Sequence, residues 1–224
     1  MPTPLQCGRL WIKVCGLTSV ENAAAVANCG VDALGLNFYT RSKRVIDTAT
    51  AAAIVKVTAD HTRPVGLFVN TEAAEIRRVC DATGIETVQL HGDEPTSLID
   101  ELQGSDRPLT VIRAVRLRSI ATDLAWDDSA PRPAALLLDA ASDAGFGGTG
   151  QTLDWKALPS ARFRTPNSVP LVLAGGLTAE NVAEAVAASQ ADGVDVASGV
   201  ESEPGIKDIA MVRRFVDEAR SAAT

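Results

Sequence analysis

Eight short β-branched or aliphatic runs punctuate this chain at intervals, and each is followed by a longer stretch with helical spacing. The runs are Leu10 to Val14, Ala33 to Asn37, Val65 to Val69, Thr87 to Leu90, Thr110 to Val115, Ala135 to Asp139, Leu171 to Ala174 and Gly193 to Ala197. Between them, apolar residues recur at three- and four-residue spacing, as in Val20 to Asn28, Ala49 to Ala59, Ala73 to Ala82 and Ala179 to Ala188. A last helix is expected from Ile206 to about Ala222. Thr18, Asn70 with Thr71, and Thr178 supply capping side chains ahead of the first, third and seventh helices. Gly30 and Gly84 fall just past helix ends, where a left-handed residue is wanted. The fifth and sixth helices are weakly marked, by Ser119 to Trp126 and Asp154 to Leu158. Eight strand–helix units favour a closed parallel sheet over an open one, so the expected fold is α/β: a single (β/α)8 TIM barrel over residues 1–224. The glycine-rich Gly145 to Gly150 is too short for a linker and reads as a loop.

The net charge of −7 and pI of about 4.9 argue against a general binder of nucleic acid or of an anionic membrane. No apolar run reaches the roughly 18–20 residues that span a bilayer, and Met1 to Arg9 lacks the pattern of a signal peptide. Four cysteines, Cys7, Cys15, Cys29 and Cys80, form no C-x-x-C pair and are accompanied by only two histidines, so a structural zinc site is not expected. Cys7 and Cys15 flank one strand, and eight extended residues span roughly 26 Å, too far for a disulfide. This usage suits a reducing cytoplasm.

In a barrel of this kind, function sits at the carboxyl ends of the strands. LAGGLT sets Gly175 and Gly176 between strand seven and a helix, and DVASGVE sets Ser198 and Gly199 after strand eight. Two loops without obstructing side chains offer backbone N–H groups to a phosphate; the alternative is two tight turns. Cys15 lies at the rim, either as a small buried hydrophobe or as a reactive thiol. Lys13 points the same way, so its charge is expected to lower the thiol pKa, while Asp195 on the neighbouring strand eight is its natural ion-pair partner. Asp139 ends the apolar run Leu136-Leu137-Leu138, where partial desolvation favours a protonated carboxyl and hence a general acid. It would face Cys15 across the mouth. Arg41 and Lys43 read as solvated loop residues, whereas Arg44, beside Val45 and Ile46, is placed to hold a substrate carboxylate. His91 is assigned to the substrate-contacting rim, as a proton carrier or as the group that orders its loop; Asp93 and Glu94 read as loop or helix-start acids.

With these residues in place, the chain resembles the phosphoribosylanthranilate isomerases of tryptophan biosynthesis. KVCGLT, FYTRSKRVI, GLFVN, VQLHGDE, LLLDA, GGTGQTLDW, LAGGLTAENV and DVASGVE follow that family's blocks in order over nearly the whole chain. The resemblance implies an Amadori rearrangement of N-(5-phosphoribosyl)anthranilate to 1-(2-carboxyphenylamino)-1-deoxyribulose 5-phosphate. It makes Cys15 the general base, Asp139 the general acid and Arg44 the holder of the anthranilate carboxylate. Phosphate would rest on backbone groups of Gly175, Gly176, Ser198 and Gly199. No metal or redox cofactor is implied, the partner is a small phosphorylated substrate, and the chain would act as a monomer or homodimer. Departures from the family pattern are Leu153 in place of the usual Phe, Ala197 in place of the common Ser, a longer Arg162 to Ser168, and extra residues at Met1 to Arg9. The related aminoaldose isomerases of histidine biosynthesis resemble this chain less, because they use Asp where Cys15 stands and carry a glycine-rich loop after strand three. Here Phe68-Val69-Asn70-Thr71 occupies that place. A non-catalytic phosphate-binding barrel would explain the glycines but not an opposed Cys15 and Asp139.

If the two glycine loops receive a phosphate, inorganic phosphate competes with substrate and Gly176→Val raises KM while the fold is kept. Steady-state kinetics checks this; an unchanged KM in the folded variant removes the assignment.

Overall fold

Side chains alternate across a strand, so each strand here sorts its residues between two cores. The computed structural model describes residues 8–119, 130–140, 153–158 and 169–223. Eight strands close in order: β1 (Trp11–Cys15), β2 (Ala33–Asn37), β3 (Arg63–Phe68), β4 (Thr87–Leu90), β5 (Thr110–Leu117), β6 (Ala135–Ala140), β7 (Leu171–Leu173) and β8 (Gly193–Val196). All neighbours are parallel, and β8 returns to β1 with Lys13 opposite Asp195. Trp11, Ala33, Val65, Ile112, Ala114, Ala135, Leu137, Val172 and Ala174 fill the barrel interior as one cluster. Ile12, Val14, Val88, Leu90, Leu136, Leu138, Val194 and Val196 lie in the other cluster, between the sheet and its helices. The fold is thus the expected (β/α)8 barrel.

The helices are α1 (Val20–Ala27), α2 (Thr48–Thr58), α3 (Ala73–Thr83), α4 (Ser97–Gln103), α5 (Val182–Ser189) and α6 (Ile209–Ala222). Gly84 ends α3 in the left-handed region at φ 79°. Several local expectations need correction. Ser19, not Thr18, caps α1 by accepting from Asn22 N at 3.2 Å, because the Thr18 hydroxyl is engaged by Gly205 O at 2.7 Å. Glu72 precedes α3 with no side-chain cap, while Asn70 takes φ 51° and its Oδ1 accepts from Asp93 N at 2.7 Å. Helix α6 starts three residues later than expected, because Ile206–Lys207 pairs as β10 with β9 (Glu201–Glu203). Asp154 to Leu158 is only a 3-10 turn, Trp155–Ala157. Cys7, the helix after Ser119, the Gly145 to Gly150 loop and Arg162 to Ser168 lie outside the described residues.

At the end of the barrel away from the expected site, Asp32 collects the seam. It accepts from Ile12 N at 2.8 Å, from Arg9 at 2.6 Å and from Arg220 of α6 at 2.7 Å. Arg220 also donates to Leu10 O. Among the described residues no helix is long and apolar enough to cross a membrane.

Helix α6 shields this seam with one face, Val212, Phe215, Val216 and Ala219, all buried. Asp208 caps it, accepting from Ala210 N and Met211 N. Phe215 is fully buried, so Phe215→Ala should cost about 3–5 kcal/mol. Urea unfolding should show a lower midpoint with an unchanged slope; a shift below about 1 kcal/mol would mean that this face repacks freely.

Candidate active site

The strand parity that buries Trp11 and Leu137 inside the barrel also carries Lys13, Cys15 and Asp139 inward, two residues at a time. On β4 and beyond it, Thr87, Gln89 and His91 share that parity, and on β8 Asp195 does. At the carboxyl ends of the strands these side chains meet in one cavity. All eight residues expected at the site line it: Cys15, Arg44, His91, Asp139, Gly175, Gly176, Ser198 and Gly199. Arg41 and Lys43 are solvent-exposed, as expected.

Lys13 is fully buried and donates to Asp195 Oδ1 at 2.9 Å, forming the expected cross-seam ion pair. Burial disfavours its charge, but Asp195 and the neighbouring Cys15 outweigh that and hold its pKa above the ordinary lysine value. The expectation for Cys15 itself needs correction. Lys13 does favour the thiolate, as does Lys207 more weakly, yet burial dominates and Asp195 opposes them. The thiol pKa is therefore raised, not lowered. The cause is visible in the packing: Cys15 clusters with the apolar Leu67 and Val69, against Tyr39 and Ala197.

Asp139 is buried at the end of β6 and engages His91 Nε2 through Oδ2 at 3.1 Å. The Gln89 amide nitrogen lies 2.7 Å from His91 Nδ1. Gln89, His91 and Asp139 thus form one buried chain of polar contacts. Asp139 Oδ1 is turned towards the β7 loop, where a side chain at Gly175 would come within 3.0 Å of it. His91 thus joins the carboxyl directly as well as bordering the cavity. Its loop is ordered by Glu94, which is buried, accepts from Gly92 N at 3.0 Å and Asn70 N at 2.7 Å, and pairs with Arg113 at 2.5 Å. Of the two expectations for Glu94 the loop acid holds, with the side chain turned inward as a brace and not set at a helix start.

Gly175 and Gly176 both adopt positive φ, 82° and 63°. The Asn181 side chain holds their loop, donating to Gly176 O at 2.9 Å and accepting from Thr178 N at 2.8 Å. Gly199 packs so closely on Leu177 O that any side chain there would collide with it, which brings the β7 and β8 loops together. Arg44 leaves the β2 loop half-buried and forms a two-pronged pair with Glu201, both bonds 2.7 Å. That pairing raises the Arg44 pKa further.

The family model for N-(5'-phosphoribosyl)anthranilate isomerase matches residues 12–218. This chain belongs to that family. It is 43% identical over 210 residues to the N-(5'-phosphoribosyl)anthranilate isomerase of Pseudomonas paraeruginosa, covering 94% of this chain and 95% of that one. Among solved structures it superposes at TM-score 0.79 and 32% identity on monomers generated from the dimeric enzyme of Thermotoga maritima, covering 95% and 99% of the two chains. It also matches, at TM-score 0.77 and 31% identity with 95% and 99% coverage, a phosphoribosylanthranilate isomerase bound to reduced 1-(o-carboxyphenylamino)-1-deoxyribulose 5-phosphate.

Within this isomerase cavity several residues carry geometry that motif reading passed over. Gln89 could have been found from parity, since it stands two residues before His91 on the same strand face. Glu201 and Lys207 pair with each other, but the contact that ties them to the cavity, Arg44 with Glu201, spans 157 residues and leaves no local signal.

Burial of the Cys15 thiol has a direct readout. Alkylation of Cys15 by iodoacetamide, followed by mass spectrometry of its peptide, should rise with pH through a midpoint above the ordinary thiol value of about 8.5. The sign follows from burial penalising the anion, and a midpoint below that value would contradict the packing.

Proposed function

We infer that this chain converts N-(5'-phosphoribosyl)anthranilate to 1-(o-carboxyphenylamino)-1-deoxyribulose 5-phosphate in tryptophan biosynthesis, as its family membership indicates. The observation that carries the reading at the level of residues is one cavity holding a thiol, a carboxyl, a guanidinium and two glycine loops. Each fits one part of the substrate. The phosphate rests on backbone N–H groups of Gly175, Gly176, Ser198 and Gly199, which need no side-chain charge. Arg44 takes the aromatic carboxylate.

Asp139 then protonates the furanose ring oxygen, the C1–O bond breaks, and the ring opens to a Schiff base. His91, oriented by Gln89, holds Oδ2 so that Oδ1 serves the substrate. The Cys15 thiolate removes the proton from C2, giving an enolamine. In the tautomerisation to the ketone, Cys15 gives its proton to C1 and Asp139 takes the proton of the C2 hydroxyl, which resets both groups while the proton first given to the ring oxygen stays on the opened sugar. Lys13 and Lys207 are the cations that support the thiolate. A filled cavity excludes water and strengthens both effects.

Residues 1–224 act as one domain in this reading, without a metal or redox cofactor. The protein works in the cytoplasm on a small anionic substrate, as a monomer or a homodimer. Cys15, Cys29 and Cys80 are free thiols, which suits that compartment.

Purified protein should abolish the fluorescence of phosphoribosylanthranilate; no loss above background refutes the activity. Cys15→Ser and Asp139→Asn should each lower kcat by about 10²–10⁴-fold, since a serine hydroxyl is too weak a base and an amide donates no such proton. Both should bind a reduced product analogue within a few-fold of the parent, by fluorescence titration. Near-normal turnover by either variant rules out the assigned pair.

A further inference from the structure

Arg44 does not reach the cavity as a free cation. Its Nε and Nη2 donate to Glu201 Oε1 and Oε2 at 2.7 Å each. The Glu201 side chain is only 5% exposed, and its Oε1 also accepts from Lys207 Nζ at 2.7 Å and Gly205 N at 3.0 Å. Hydrogen bonds from Arg44 and Lys207 overcome the burial of this carboxylate. It therefore has little reason to exchange partners. A guanidinium carries five N–H groups in a fixed plane. With the Nε–Nη2 edge committed, the Nη1–Nη2 edge is left, and that edge is itself a two-pronged donor matched to a carboxylate.

The rest of the cradle is equally specific. The Arg44 side chain crosses Gly16, whose φ is 85°, and any Cβ there would collide with the Arg44 chain. The β9–β10 hairpin that carries Glu201 and Lys207 is tied to the start of the chain. Thr18 donates to Gly205 O at 2.7 Å, and Asn22 exchanges two 2.9 Å bonds with the Lys207 backbone. Lys207 Nζ also holds Ala197 O at 3.0 Å, beside the Ser198–Gly199 loop. Two cations sharing one carboxylate leave the cluster with a net positive charge, so the clamp orients Arg44 without cancelling its attraction for an anion.

We propose that Glu201, backed by Lys207, is the positioning residue that aims Arg44 and thereby sets the preference for a substrate bearing an aromatic carboxylate. This rests on the reading of Arg44 as the carboxylate holder, and the test separates the two. Steady-state kinetics would compare Arg44→Ala, Glu201→Ala and their combination on phosphoribosylanthranilate and on phosphoribosylaniline, which lacks the carboxylate. Arg44→Ala should lower kcat/KM on the first about ten- to a hundredfold and barely affect the second. Glu201→Ala should lose about tenfold on the first, chiefly through KM, and less than about threefold on the second. In the Arg44→Ala background it should lose almost nothing more. Because Glu201→Ala leaves Lys207 buried and unpaired, Glu201→Ala with Lys207→Met supplies a second variant with both charges removed, and the same selective loss is expected. Failure of Arg44→Ala to discriminate the two substrates overturns the carboxylate reading and this inference with it. Discrimination by Arg44→Ala alongside equal losses on both substrates in the Glu201 variants, or full additivity in the combination, overturns the role of Glu201 alone.

Discussion

The ion pair between Lys13 and Asp195 sits where the barrel closes, and the organisation of the mouth is referenced to it. Neither charge is accessible enough to be solvated alone, so each requires the other. Removing one partner of such a pair costs far more than the pair itself contributes, because a bare charge is left inside. The pair also fixes the register of β8 on β1, and a one-residue slip would turn each strand's inward set outward. Cys15 stands two residues beyond Lys13, and Ala197, which leads into the Ser198–Gly199 loop and the hairpin, two beyond Asp195. Both are placed by the same contact.

The chain is acidic overall, at −7, yet its cavity is suited to a substrate with two anionic ends. The resolution lies in placement. Lys13, Arg44 and Lys207 are all held inside or at the edge of the mouth by buried carboxylates, Asp195 and Glu201, of which Glu201 lies outside the cavity lining. The glycine loops proposed for the phosphate offer backbone dipoles, which carry no net charge. In a poorly solvated site, a few fixed donors count for more than the charge of the outer surface. The same low dielectric has a cost, seen in the raised pKa of the Cys15 thiol.

Much of this was legible in the sequence, and the reasons differ from part to part. Ala33–Asn37 and Thr87–Leu90 were read to the residue, since a short run buried on both faces and bounded by Gly30 and Asp32, or by Gly84 and Gly92, marks a parallel strand clearly. The eight residues proposed for the site share one cavity because a barrel gathers its strand ends. What failed was tertiary competition for local signals. Thr18 is an adequate cap, but Gly205 takes its hydroxyl; Asn70 resembles a cap, but serves Asp93. Ile206 and Lys207 fit the helical period and were captured by a strand from Glu201 to Glu203. The proximity of Lys13 to Cys15 was readable from spacing, whereas the apolar wall of Leu67 and Val69 that outweighs it comes from β3 and the residue after it. Glu201 was passed over because its meaning depends on Arg44, 157 residues away.

The tie between the two ends of the chain has a consequence for how the protein is made. Synthesis runs from the amino end, and domains fold as their residues emerge. Lys13, Cys15 and Arg44 leave the ribosome long before Asp195, Glu201 and Lys207, with 182 residues separating Lys13 from its partner. Until the last strand and the hairpin arrive, a nascent barrel holds an unpaired lysine at an open seam and an arginine with no clamp. Such an intermediate cannot close quietly into a dry core, and its exposed edges favour capture by other chains. Completion of the carboxylate clamp thus coincides with completion of the fold, so a truncated product has neither a sealed barrel nor an aimed Arg44.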